Sequence, residues 1–293
     1  MQLRGEVTVQ SRREFLGSAA AGLAAISFGP LASARKMDRP LGVQLYTVRS
    51  LADDLAGTLK AIRKIGYSEV ETYVAQYKMS AKDLRAAIVD AGLSVPSAHF
   101  GYDDFDSRFE YSKELGAECI VCSMVPLTIA NSADGYKRGA DQYNEWGAKA
   151  KSMGMKFSFH NHNVEFKEYG GATGLEILLK NTDPSLVQWQ MDCYWVTQAG
   201  HDPVAMLRQY GHRIQSLHVK DRKPNAQTTL DTGTGSEYFT EVGLGTLDWK
   251  SILRITGNDH VPYLFVEQDK TDRPPLESLQ ISHDNLVKLL NQG

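Results

Sequence analysis

From residue 40 onward, short β-branched runs alternate eight times with longer segments whose apolar residues recur at helical spacing. The runs are 42–48, 69–74, 94–100, 118–125, 156–162, 187–195, 214–221 and 263–269. The helical segments begin near Leu51, Ala81, Asp104, Ala133, Thr173, Asp202, Asp248 and Pro275. In the first of them Leu55, Leu59, Ile62 and Ile65 share one face. Asp202-Pro203 is a cap followed by a proline in the first turn, and Gly66, Gly92, Gly116 and Gly154 stand where helices end. Strands separated by helical crossovers must run parallel. Eight such units predict a closed α/β (β/α)8 TIM barrel, one domain over residues 35–293. An open doubly wound sheet would place a glycine-rich phosphate loop after its first strand. Here that strand leads into Tyr46-Thr47-Val48-Arg49.

Residues 1–34 read differently. Arg12-Arg13, Phe15 and Leu16 precede an Ala-rich apolar run to Phe28, and Ala32-Ser33-Ala34 closes it. That order is a secretory signal peptide of the twin-arginine type, cut after Ala34, which predicts a periplasmic protein. The run is too short to span a bilayer, so the mature form has no membrane span. A net charge of −3 gives no positive excess for a phosphate backbone, which argues against nucleic acid as a partner. Cys119, Cys122 and Cys193 are an odd number, and the first two point to opposite faces of one strand. They are read as buried small residues. The long connection from Arg222 to Leu247 is either a lid or a surface insertion.

Chemistry in such a barrel gathers at the C-terminal strand ends. Those positions hold Gln44 and Tyr46, Glu71, His99, His160-Asn161-His162 with Glu165 beyond, Asp192, His218 with Lys220 and Asp221, and Glu267 with Asp269. Alternation puts His160 with His162, and His218 with Lys220, on shared faces. Acidic and imidazole groups converging from successive strands are costly unless a cation resolves them. A mixed oxygen and nitrogen shell suits one divalent metal: Mn2+, Co2+, Zn2+ or Mg2+. Gly243-x-Gly245 lies ahead of a late helix, and it is assigned to a turn capped by Asp248.

The strings Phe159-His-Asn-His-Asn-Val-Glu-Phe166, Met191-Asp-Cys-Tyr-Trp195, Leu217-His-Val-Lys-Asp221 and Val266-Glu-Gln-Asp269 resemble the xylose isomerase-like barrel superfamily. So do Ser97-Ala-His-Phe-Gly101 and Gly243-Leu-Gly-Thr-Leu-Asp-Trp249. The superfamily contains sugar isomerases, ketose 3-epimerases, inosose dehydratases and type IV endonucleases. The resemblance implies metal ligands at Asp192, His218 and Glu267. The strand-5 ligand is either His160 or Glu165, because His160 stands where many members carry glutamate. Ketose 3-epimerases place a substrate-binding histidine where this chain has Trp195.

The implied chemistry is proton removal beside a metal-polarised carbonyl. Glu165 and His162 are the expected base and acid, and Lys220 is expected to stabilise the oxyanion. Tyr46, Trp195 and Trp249 are candidates to stack on sugar faces, and Glu71 and His99 to bind hydroxyls. The expected substrate is an unphosphorylated sugar, since Arg222 and Arg273 form no phosphate cluster. Reprotonation of the enediolate makes an isomerase or epimerase, the first expectation. Loss of a β-substituent makes a lyase or hydratase, acting on a keto-inositol or on a 3-keto-glycoside from a partner sugar oxidoreductase. Charge and leader oppose an abasic-site endonuclease, and a catalytically idle sugar-binding barrel would show no exchange at any C–H.

Overall fold

The computed structural model describes residues 39–231, 234–258 and 261–292. The leader reading therefore lies outside the described residues. The barrel strands are β1 Gly42–Gln44, β2 Glu69–Thr72, β3 Ser94–Phe100, β4 Cys119–Cys122, β5 Lys156–His160, β6 Val187–Asp192, β7 Ile214–Val219 and β10 Tyr263–Val266. Each pairs in parallel with its neighbours, and β10 closes the ring onto β1 through Gly42 beside Phe265. The expected (β/α)8 barrel is present. Its crossover helices include α1 Leu55–Ile65, α2 Ala81–Asp90, α3 Phe109–Leu115, α4 Ala133–Ser152, α5 Gly174–Asn181, α7 Pro203–Tyr210, α8 Trp249–Asn258 and α9 Pro275–Leu290.

Alternation along the strands sorts two environments. Outward residues such as Val43, Val70, Ala98, Ile120, Phe157, Trp189, Leu217 and Leu264 are buried in the apolar core under the helices. Inward residues are largely polar: Gln44, Glu71, Ser97, Ser158, Gln190 and Ser216 are at most 2 % exposed. Cys119 faces inward, 3.3 Å from the Ser158 hydroxyl, whereas Cys122 joins the outer core. The two thiols sit on opposite faces, as their spacing required.

Several strands are shorter than their apolar runs. β1 stops at Gln44, and residues 45–54 form a 3-10 helix instead of continuing to Val48. β6 ends at Asp192, whose Oδ1 accepts from the Trp195 amide and starts a short helix, α6 Cys193–Gln198. Trp195 is thus a helix residue. β5 ends at His160, so His162 lies in the following turn and not on the strand face. In each case a side chain accepts from a backbone amide two or three residues past the strand end: Gln44 from Tyr46, Asp192 from Trp195 and Glu165 from His162.

The connection after β7 carries a small hairpin, β8 Asp221–Arg222 with β9 Phe239–Thr240. Asn163 Nδ2 donates to the Thr229 carbonyl at 2.9 Å, and the Thr229 amide donates to Gln198 at 2.9 Å. The Tyr194 hydroxyl also donates to the Gly235 carbonyl. These ties hold the segment down as a packed insertion. No helix among the described residues is long and apolar enough to cross a membrane.

Candidate metal centre and its cavity

At the C-terminal ends of β5, β6 and β7, three side chains converge. His160 Nε2 and His218 Nδ1 each lie 3.9 Å from the same oxygen, Oδ2 of Asp192. All three are buried, and their ligating atoms fall within 4.8 Å of one another. Glu267, just beyond β10, brings Oε2 to 2.8 Å from His218 Nδ1.

The local sequence aims each group. Asp192 caps α6 with Oδ1, which leaves Oδ2 for the centre. The Asp192 amide and the Trp189 indole both donate to Asn161 Oδ1, at 3.0 and 2.9 Å, so the middle residue of His-Asn-His pins β6 to β5. His218 donates from Nε2 to Glu71 Oε1 at 2.6 Å, which turns Nδ1 toward Asp192 and Glu267.

Lys220 is buried at the edge of this group. Its Nζ lies 3.0 Å from Asp192 Oδ2, 2.7 Å from Glu267 Oε2 and 2.9 Å from Asp269 Oδ1. Burial alone would lower the Lys220 pKa, but Asp192, Asp269 and Glu267 raise it well above the usual lysine range. Burial would likewise lower His218, and Glu267 and Glu71 bring it up to about 10. Burial would raise Glu267, yet Lys220 and His218 hold it well below the usual carboxylate range. Asp269 is raised to about 6 by burial, against the pull of Lys220. His160 stays neutral, because burial and then His218 push it far down, and burial and Lys220 lower His162 to about 3.

These groups fit a divalent cation. Asp192 Oδ2 and His218 Nδ1 are buried without an aligned hydrogen-bond partner among the described residues. Asp192, Glu267 and the partly exposed Asp269 crowd Lys220 while Glu71 backs His218, so carboxylates outnumber the cations and a metal would offset the remaining charge. The donor set is imidazole and carboxylate, which suits Mn2+, Co2+, Zn2+ or Mg2+ without selecting among them.

A cavity of about 370 Å³ opens above the centre, within the usual range for a small-molecule site. His99, His160, His162, Lys220 and Glu267 form its polar floor, and Tyr46, Tyr73 and Phe100 form an aromatic wall. Tyr46 packs edge-on against Tyr73 at 5.3 Å and carries the Arg49 guanidinium over its ring at 4.1 Å. His99 Nε2 is buried with no hydrogen-bond partner among the described residues.

Four expected roles change. Glu165 does not line this cavity: its Oε2 accepts from the His162 amide at 2.8 Å, and burial raises it to about 7. The turn after β5 swings it behind the strand, toward Tyr136 and Tyr143. Glu71 lies beneath the cavity, with both oxygens engaged by Gln44, Ser97, Gln190 and His218, so it has no capacity for a substrate hydroxyl. Trp195 packs on Tyr194 and Phe239, and its ring lies 5.7 Å from Lys220 Nζ, outside the cavity. Trp249 is buried too, its indole donating to Asp221 at 2.8 Å.

Asp221 also explains the glycine pair. Its carboxylate accepts from the amides of Gly243, Gly245 and Leu247 at 2.9, 3.2 and 3.3 Å. Those amides wrap a protein carboxylate and not a phosphate. Arg222 binds Gln198 at 2.8 Å and Arg273 binds Glu241 at 3.2 Å. Asp269 was noted at a strand end without a role, and Tyr73 was not noted. Both follow an inward residue, Glu267 or Glu71, by two, and the same alternation points to them.

Comparison with known proteins agrees with this architecture. Residues 59–263 match the family described as xylose isomerase-like TIM barrel. An inosose dehydratase of Clostridium botulinum (strain Alaska E43 / Type E3) is 27 % identical over 238 residues, 69 % of this chain and 78 % of its own length. The inosose dehydratase of Clostridium tetani (strain Massachusetts / E88) is 32 % identical with the same coverage, 69 % and 78 %. Among solved structures, a sugar phosphate isomerase/epimerase from Parabacteroides distasonis superposes with a TM-score of 0.73 at 24 % identity, covering 88 % of this chain and 96 % of its own. That likeness speaks for the fold.

Proposed function

Because the chain belongs to the xylose isomerase-like TIM barrel family, we propose that it is a divalent-metal-dependent carbon–oxygen lyase that dehydrates a polyhydroxylated ring ketone. The observation that carries this reading is the convergence of His160, Asp192 and His218 beneath a cavity with an aromatic wall. Sequence alone put isomerisation ahead of elimination; the resemblance to inosose dehydratases reverses that order.

His160, Asp192, His218 and Glu267 would hold the metal. When bound, it would supply Lewis-acid polarisation of the substrate carbonyl. The aromatic wall of Tyr46, Tyr73 and Phe100 takes the apolar face of the ring and orients it over the polar floor. Asp269 lines the cavity and is the base that takes the proton beside the carbonyl. Lys220, 2.9 Å from Asp269, balances charge on the developing enolate. The C–H electron pair becomes the new double bond, and the β-hydroxyl leaves as water after taking a proton. His99 and His162, neutral and facing the cavity, are placed to donate from a ring N–H to that hydroxyl.

Incubation with a keto-inositol in heavy water tests this, read by mass spectrometry and enone absorbance. Loss of water is the expected result. Deuterium entry without loss of water would favour an isomerase or epimerase, the same enolisation ended by reprotonation. No exchange with a keto-inositol, a ketose or a 3-keto-disaccharide would remove the enzymatic reading. A 3-keto-glycoside would need a partner oxidoreductase to make it.

Export belongs to the proposal as well. The Arg12-Arg13 leader would deliver the folded protein to the periplasm. Cell fractionation of the full chain and of an Arg12→Lys, Arg13→Lys variant tests it; equal distribution of both would refute the signal.

A further inference from the structure

Glu71 is the most heavily engaged carboxylate of the barrel interior, and it touches neither cavity nor solvent. It stands on β2 and is fully buried. Oε1 accepts from Gln44 Nε2 at 2.6 Å and from His218 Nε2 at 2.6 Å. Oε2 accepts from Gln190 Nε2 at 2.7 Å and from the Ser97 hydroxyl. Gln44 and Ser97 are its register partners on β1 and β3, whereas Gln190 and His218 reach it from β6 and β7 across the barrel.

We infer that Glu71 is a positioning residue that fixes His218 as an Nδ1 ligand and thereby sets the metal affinity of the centre. The reasoning concerns tautomer and direction. A neutral imidazole carries one N–H and one lone pair. Glu71 has only acceptor oxygens toward His218, so the proton of the neutral ring resides on Nε2. Binding of a cation would displace the second proton of His218, and the freed lone pair lies on Nδ1, which faces Asp192 Oδ2 at 3.9 Å and Glu267 Oε2 at 2.8 Å. The three other donors clamp the carboxylate, so that the ring cannot swing without breaking a buried network. A carboxylate behind a ligating histidine also makes the imidazole a stronger donor, and losing such a partner typically costs about 10–100-fold in metal affinity.

The inference rests on the metal reading of the site, and the test separates the two. Cadmium-113 is titrated into the full chain carrying nitrogen-15 histidine, with affinity from calorimetry and ligation from 113Cd–15N coupling. The Glu71→Gln variant keeps the shape and one acceptor oxygen for His218. Its new N–H group donates to the Ser97 hydroxyl and, once the Gln190 amide flips, to Gln190 Oε1, a buried atom with no hydrogen-bond partner among the described residues. The variant therefore folds, which circular dichroism checks. We expect coupling to Nδ1 of His218 in the natural protein, and cadmium binding at least about tenfold weaker in Glu71→Gln. Coupling to Nε2, or unchanged affinity in a folded variant, overturns the role of Glu71 while leaving the metal site standing. No cadmium binding by the natural protein overturns both.

Discussion

The ammonium of Lys220 lies 3.0 Å from Oδ2 of Asp192, the oxygen on which His160 and His218 also converge. One buried oxygen therefore serves a fixed cation on one side and a metal-ligating geometry on the other. Lys220 limits how much negative charge the centre presents, which tunes both metal affinity and the stability of the unloaded barrel.

Replacing Lys220 by methionine keeps the stem and removes the charge. Removing one partner of a buried ion pair typically costs about 3–5 kcal/mol. In the presence of chelator the variant should melt well below the natural protein. Added Mn2+ should recover more of the melting temperature than it adds to the natural protein. Equal melting under chelator would show that Lys220 does not neutralise the cluster.

The strand-5 ligand can be decided by metal content. His160→Ala and Asp192→Asn should each lose stoichiometric metal by elemental analysis of the purified protein. Glu165→Gln should retain it, because Glu165 faces the His162 amide from behind the strand. The reverse pattern would restore Glu165 as the ligand.

Glu165 should also leave a signature in the pH dependence of stability. Burial raises its carboxyl to about 7 in the folded chain, from an ordinary value of 4.5. The folded state then holds a proton that the unfolded state releases, so stability falls as pH rises from about 4.5 to 7. Glu165→Gln has no proton to release, and its amide oxygen still accepts from His162. Its stability relative to the natural protein should increase between pH 5 and pH 8, as measured by urea unfolding at each pH. A constant difference would place the carboxyl in a solvated setting.

Gly245→Ala probes the loop around Asp221. An added methyl would stand 2.1 Å from Asp221 Oδ1 and 2.5 Å from the Arg222 carbonyl. Overpacking of this kind costs about 1–3 kcal/mol. Denaturant unfolding should show that loss, whereas a neutral or stabilising result would mean that the loop yields without cost.

Much of the site was legible because a strand has a period of two. His160, Asp192, His218 and Glu267 could be read as strand-end residues with no structure in hand. The same rule misjudged Glu71, which is inward like the others but sits one layer too deep to meet a substrate. Depth depends on how far each strand is staggered against the next around the closed ring, and that stagger is not written in any single strand. Glu165 and Trp195 failed for a different reason. Each follows a strand end, and capping of a backbone amide by a side chain redirects the chain within three residues.

By itself the sequence determined the architecture and the chemical character of the barrel mouth. Alternating apolar and helical periods leave a parallel barrel as the compact solution, and acidic and imidazole residues at its rim need a cation. Only the tertiary structure decided which of them meet. The contact between Glu71 on β2 and His218 on β7 joins residues 147 positions apart. It exists because ring closure brings opposite strands within reach of one carboxylate, and local periodicity carries no record of that distance.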